Sequence, residues 1–208
     1  MLWGVAAPAT RGPRARLGLG ELANAAVRCA DRDGLSSVSL AAVAAELGLT
    51  TTALYRYIDS KDTLVELMID FGVGPAPELP ANDWRSRTHT WCRALWEQYR
   101  LHPWLADVPI GGMPRYPNRV AWIDQLLVEL DRGLVTDPMR AALLLDAIAR
   151  TFALLDRRQA DEDPPPAWIL RAVTERHPRL GQELNRDWTD LDQEFTRSID
   201  IVLSASTR

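Results

Sequence analysis

Apolar residues return every three or four positions along nearly the whole chain, and no segment alternates as a half-buried strand would. The pattern predicts an all-α protein. A first helix is expected from Leu19 to Arg32, with Leu22, Ala26, Cys29 and Ala30 on one side and Gly34 as its stop. Ser39 caps a short helix that runs through Leu47, and Gly48-Leu49 breaks it. Thr50 caps another, Thr51 to Ile58, and Ser60 caps a fourth, Lys61 to Val73. The stretch Gly72–Pro80 carries three prolines and reads as a joint.

Beyond the joint the helices lengthen. Asp83 opens one that carries Trp84, Thr88, Trp91, Leu95 and Tyr99 and ends near His102-Pro103. The loop IGGMPRYPN precedes a helix at Arg119–Arg132, closed by Gly133. Asp137-Pro138 opens a helix to about Arg158 that is apolar on nearly every side. After DEDPPP comes a short helix, Ala167 to His177. The last helix starts near Asp187, with Trp188, Leu191, Phe195, Ile199 and Val202 along one stripe. The chain thus divides into a flexible arginine-containing tail (1–16), a head of short helices (17–60, with a linking helix at 61–73) and a larger helical body (74–208).

Of the 208 residues, 47% are hydrophobic, enough for a sizeable core. The net charge of −4 is unevenly spread. Up to Lys61, seven Arg/Lys face five Asp/Glu, giving +2; the remainder has seventeen against twenty-three, giving −6. A mildly basic head on an acidic body suits a polyanion-binding head. The two cysteines, Cys29 and Cys92, sit far apart in apolar contexts and read as small buried hydrophobes rather than a disulfide framework or metal site. His89, His102 and His177 lack metal-ligand spacing. No Ser–His–Asp set, glycine-rich phosphate loop or carboxylate pair stands out, so neither an enzyme nor a cofactor is expected. No apolar run reaches the roughly 18 residues of a membrane span, and the first residues lack a charged segment before their apolar part. The expected location is cytoplasmic.

One stretch resists a purely structural account. Residues 50–61, TTTALYRYIDSK, place hydroxyls and a cation where a core helix would carry leucines. A helix-turn-helix needs a small residue inside its first helix, and Ala44 fits. It needs a residue tolerant of positive φ four places on, and Gly48 fits. It needs an apolar residue six places further to pin the second helix, and Leu54 fits. With Leu54 inward, Ile58 lies beside it, Thr52 and Arg56 point away, and Ala53 and Tyr55 take the shoulders. Such a face can enter a major groove roughly 12 Å wide.

The run LANAAVRCADRDGLSSVSLAAVAAELGLTTTALYRYIDSKDTLVELM resembles the DNA-binding domain of the TetR family of transcriptional regulators. The resemblance implies that Thr51, Thr52, Ala53 and Arg56 read bases. It implies that Tyr55, Tyr57 and Lys61 touch phosphates or groove edges, and that Ser39 caps a helix whose N–H groups face a phosphate; Thr50, cap of the next helix, is a further candidate DNA contact. Members often carry a basic residue just after the first cap; Leu40-Ala41-Ala42 does not supply one. Arg14 and Arg16 of the tail could compensate. The segments WCRALWEQYRLHPWLADV and PNRVAWIDQLLVEL look like the effector-binding part of tetracycline-repressor-like members. That places Trp91, Cys92, Trp96, Tyr99, Trp122, Gln125, Asp146 and Phe152 as candidate effector contacts. Asp146, inside ALLLDAIA, is a carboxylate that must be paired if buried. The implied partners are palindromic operator DNA, a small-molecule effector and a second copy of the chain. The homodimer is expected through the helices at about 138–158 and 187–203, the latter by its apolar stripe. The other open reading is a helical ligand- or partner-binding protein that has lost DNA recognition, for which the missing basic residue near Ala41 would speak.

Overall fold

The computed structural model describes residues 17–80, 83–108, 114–161, 166–184 and 190–206, with the backbone alone at 158–161. Arg14, Arg16 and Trp188 lie outside the described residues. Among these residues every regular element is helical. The head comprises α1 (Leu19–Asp33), α2 (Leu40–Glu46), α3 (Thr51–Leu54) and the linking helix α4 (Lys61–Val73). Its caps are the ones the sequence announces. Ser39, Thr50 and Ser60 each accept a backbone N–H three residues on, from Ala42, Ala53 and Thr63, at 3.1, 3.2 and 3.0 Å. The core of the head is Leu22, Ala26, Val43, Leu54, Ile58, Leu64 and Met68, all buried.

The body comprises α5 (Trp84–Leu101), α6 (Trp104–Asp107), α7 (Pro117–Arg132), α8 (Pro138–Asp161), α9 (Ala167–Arg176), α10 (Pro178–Leu184) and α11 (Leu191–Ser206). Two short helices, α6 and α10, were not legible as separate elements, and α7 starts at Pro117 rather than Arg119. The reason is shared. Proline cannot continue a helix but suits the first turn of the next, so Pro103, Pro117 and Pro178 each open an element.

Tryptophans knit the body together. Trp96 of α5 lies 4.4 Å from Phe195 of α11 and 6.0 Å from Phe152 of α8, centroid to centroid. Trp91 meets Trp122 edge-on at 5.4 Å, and its indole N–H donates to the Trp122 carbonyl at 2.8 Å. Trp122 in turn donates to the Gly74 carbonyl, 2.9 Å away at the joint. Phe195 and Ile199 of the stripe expected between subunits are therefore core residues of one subunit, 0–1% exposed, as is Leu203 beside them. Gly133, where α7 turns toward α8, lies against the Trp84 ring, and a Cβ there would stand 2.6 Å from it. Gly133→Ala should lower stability by about 1–3 kcal/mol through overpacking, read as a lower urea midpoint. An unchanged midpoint would mean that the ring swings aside freely.

Candidate nucleic-acid interface and ligand cavity

The turn of the head is built from its carbonyl partners. The Leu49 N–H donates to the Ala44 carbonyl at 2.8 Å and the Gly48 N–H to that of Ala45 at 3.0 Å. Gly48 has φ +65°, so this is a Schellman closure that places glycine at the left-handed position. The turn then delivers Thr50 as the cap of α3. Leu54 and Ile58 are buried, while Thr52, Tyr55 and Arg56 are exposed and Thr51, Ala53 and Tyr57 half-exposed. The α-helix stops at Leu54, short of the expected Ile58. Arg56 and Tyr57 instead close three-residue steps onto Ala53 and Leu54, because the chain must reverse within two residues to reach the Ser60 cap.

Charge separates the arginines of the head into two kinds. Arg28 and Arg32 both clasp Glu46, at 3.2 and 3.3 Å, and hold its carboxyl below the ordinary range. Arg56 and Lys61 have no ion pair among the described residues, and both are exposed beside the α3 face. Lys61 is the only lysine in the sequence. Ser39 and Thr50 use an oxygen lone pair on their own helices, which leaves each hydroxyl proton free to donate outward. The two unpaired cations and these hydroxyls make a surface suited to phosphates and base edges.

Among the contacts between head and body, besides those of α4 with α7, two gather around Trp104. Asp31 of α1 accepts the Trp104 indole N–H at 2.7 Å, and His102 Nδ1 lies 2.8 Å from the same oxygen. Gly72 of α4 passes under the Trp104 ring, where a Cβ would approach to 3.0 Å.

Above α4 the helices α4, α5, α6, α7 and α8 surround a cavity of about 460 Å³. Its wall is apolar over somewhat more than half of its residues, with Glu66, Asp70, Arg115, Arg119, Asp124 and Arg150 as charged members and Tyr99 and Tyr116 as phenols. Of the eight candidate ligand residues, only Tyr99 lines it. Trp91, Cys92, Trp96, Trp122 and Phe152 are packed into the core instead, and burial pushes the Cys92 thiol up. Gln125 donates to the Pro77 carbonyl at 2.8 Å, holding the joint. Asp146 stands behind the wall, accepting from the Tyr99 hydroxyl at 3.0 Å and from Arg119 at 3.2 Å. Burial, then the charge of Asp146, pushes the Tyr99 hydroxyl up to about 12, so it stays a donor. Sequence reasoning missed Arg119, Arg150 and Asp70. The available signal was an arginine one turn after Asp146, on the same face of an apolar helix.

Comparison with known proteins agrees with this geometry. The profile described as "Bacterial regulatory proteins, tetR family" matches residues 22–68, and "Tetracyclin repressor-like, C-terminal domain" matches 76–204. The chain is 35% identical over 156 residues to the HTH-type transcriptional repressor DrrR1 of Streptomyces coeruleorubidus, covering 70% of this chain and 56% of that protein. The matched region thus spans about half the length of the curated relatives. Among solved structures it resembles apo ActR of Streptomyces coelicolor, with TM-score 0.73, 20% identity and coverage of 91% and 94% of the two chains. It also resembles ActR in complex with actinorhodin, with TM-score 0.74, 20% identity and coverage of 93% and 97%. At those identities the likeness shows the fold. No helix among the described residues is long and apolar enough to cross a membrane.

Proposed function

The chain belongs to the TetR family of transcriptional regulators, and on that premise we propose that it is a repressor, binding a palindromic operator as a homodimer and released by a small molecule in the body cavity. In this reading residues 17–60 recognise DNA, 61–73 link, and 74–208 bind the effector and dimerise. The observation that carries it is the α3 face: Thr52, Tyr55 and the unpaired Arg56 turned outward, opposite a fully buried Leu54. Thr51, Thr52, Ala53 and Arg56 meet bases, while Ser39, Thr50, Tyr55, Tyr57 and Lys61 meet the backbone. The relative named a repressor supports repression, and the neighbour solved with actinorhodin supports the binding of a small molecule.

A mobility-shift assay with the DNA flanking its own gene tests the reading. Arg56→Ala should cost about 1–3 kcal/mol of operator affinity and relax preference at one base pair. Lys61→Ala should weaken all sequences alike and reduce the salt slope by about one. Full operator affinity in Arg56→Ala would mean that another face reads the DNA.

A further inference from the structure

One end of the cavity is polar, and its charges do not balance. Asp146 and Arg150 stand one turn apart on α8, facing Tyr99 of α5 and Arg119 of α7. Arg119 is matched by Asp146 at 3.2 Å. Arg150 has only neutral acceptors. Its Nη1 donates to the carbonyls of Leu105, Ala106 and Val108 at 3.3, 2.9 and 2.7 Å, and its Nη2 lies 3.4 Å from the Tyr99 oxygen. Two guanidiniums therefore share one carboxylate at this end of the wall.

The other carboxylates of the wall do not supply the missing charge. Glu66 pairs with Arg115 at 3.7 Å where water reaches both, and Asp124 is exposed. Asp70 uses Oδ1 to accept the Arg119 backbone N–H at 2.8 Å, at the start of α7. Its burial pushes the carboxyl up, toward the neutral form. Its second oxygen has no partner, which would suit a cationic ligand, but that oxygen is sealed off. The Arg119 side chain, by contrast, is 22% exposed in the cavity wall. A buried cation without a counter-ion is costly and is relieved by an incoming anion.

We propose that the cavity takes an organic anion: an apolar body with one acidic group, seated between Arg119 and Arg150. The proposal rests on the cavity being the effector site. Ile69, Val73, Leu105, Val120 and Ile123 hold the body, and the N–H groups the two guanidiniums have left over fix the acid.

Three probes with one ring system decide it: 2-naphthoate, 2-naphthamide and 2-naphthylmethylammonium, titrated by calorimetry into the full-length protein. Naphthoate should bind about tenfold or more tighter than the amide, with the ammonium weakest. Arg119→Gln and Arg150→Gln should each shrink the preference for naphthoate to about threefold or less. Arg150→Lys, which keeps the charge, should retain it. Equal binding of anion and amide, tighter binding of the ammonium, or no binding of any probe overturns the proposal. These titrations use wild-type protein first, so they remain decisive where a variant fails to fold. A mobility shift on the same preparation separates the two readings. Loss of DNA binding would sink the regulator reading, whereas intact DNA binding without charge preference sinks only this one.

Discussion

A glutamate at Leu144 and another at Ile201 should together give a folded monomer whose operator affinity has fallen by about 10²–10⁴-fold. One helix-turn-helix reads one half-site, so the affinity for a palindrome depends on two heads being joined. In a single subunit α8 buries one side against α5, α7 and α11. Its opposite side leaves Leu144 and Leu155 48% and 42% exposed, with Ile148 half-buried between them. Ile201 of α11 is 68% exposed. An apolar stripe of this kind is what an isologous interface of roughly 2,000 Å² would cover. Sedimentation shows the mass and a mobility shift shows the loss. Phe195→Glu should behave differently, unfolding the chain, because Phe195 is 1% exposed and packed against Trp96. A DNA-binding dimer that survives both surface changes would place the interface elsewhere.

Asp146→Ala should remove about 3–5 kcal/mol of stability, seen as a large fall in the urea midpoint. Asp146 is 7% exposed and accepts from both Arg119 and Tyr99. Its loss strands a guanidinium and a hydroxyl in the cavity wall, and the uncompensated charge dominates the cost. Retention of wild-type stability would show that water enters the cavity and solvates Arg119. The milder Asp146→Asn keeps the Tyr99 hydrogen bond while deleting the charge, so it should destabilise less and tighten 2-naphthoate.

The head was legible because its signals are local. Ala44, Gly48 and Leu54 lie within eleven residues, and the caps announce themselves in the residue types at Ser39, Thr50 and Ser60. The inward and outward faces of α3 follow from helical geometry alone. The cavity is a different kind of object. It exists where five helices fail to meet, and that depends on crossings between residues as far apart as Glu66 and Arg150. Aromatic residues can line pockets, which is the role the resemblance implies for the tryptophans. They also fill cores, and Trp91, Trp96 and Trp122 do that here. Arg119 and Arg150 passed unnoticed because arginine is usually solvated. The stripe of the last helix pointed to burial correctly but could not say whether the covering surface belonged to the same chain.

The Asp31 contact to Trp104 and His102 limits how the head can move. A body hung from one point turns about three axes; a second attachment leaves one. The head hangs from α4, whose far end is held by the Gly72 and Asp70 contacts, and is tied again at Asp31, which favours rotation about the line joining those two places. Thirteen residues of α4 span about 20 Å. A tilt of about five degrees at the cavity end therefore carries Lys61 through roughly 2 Å, and in the proposed homodimer symmetric tilts would double the change in spacing between the two heads.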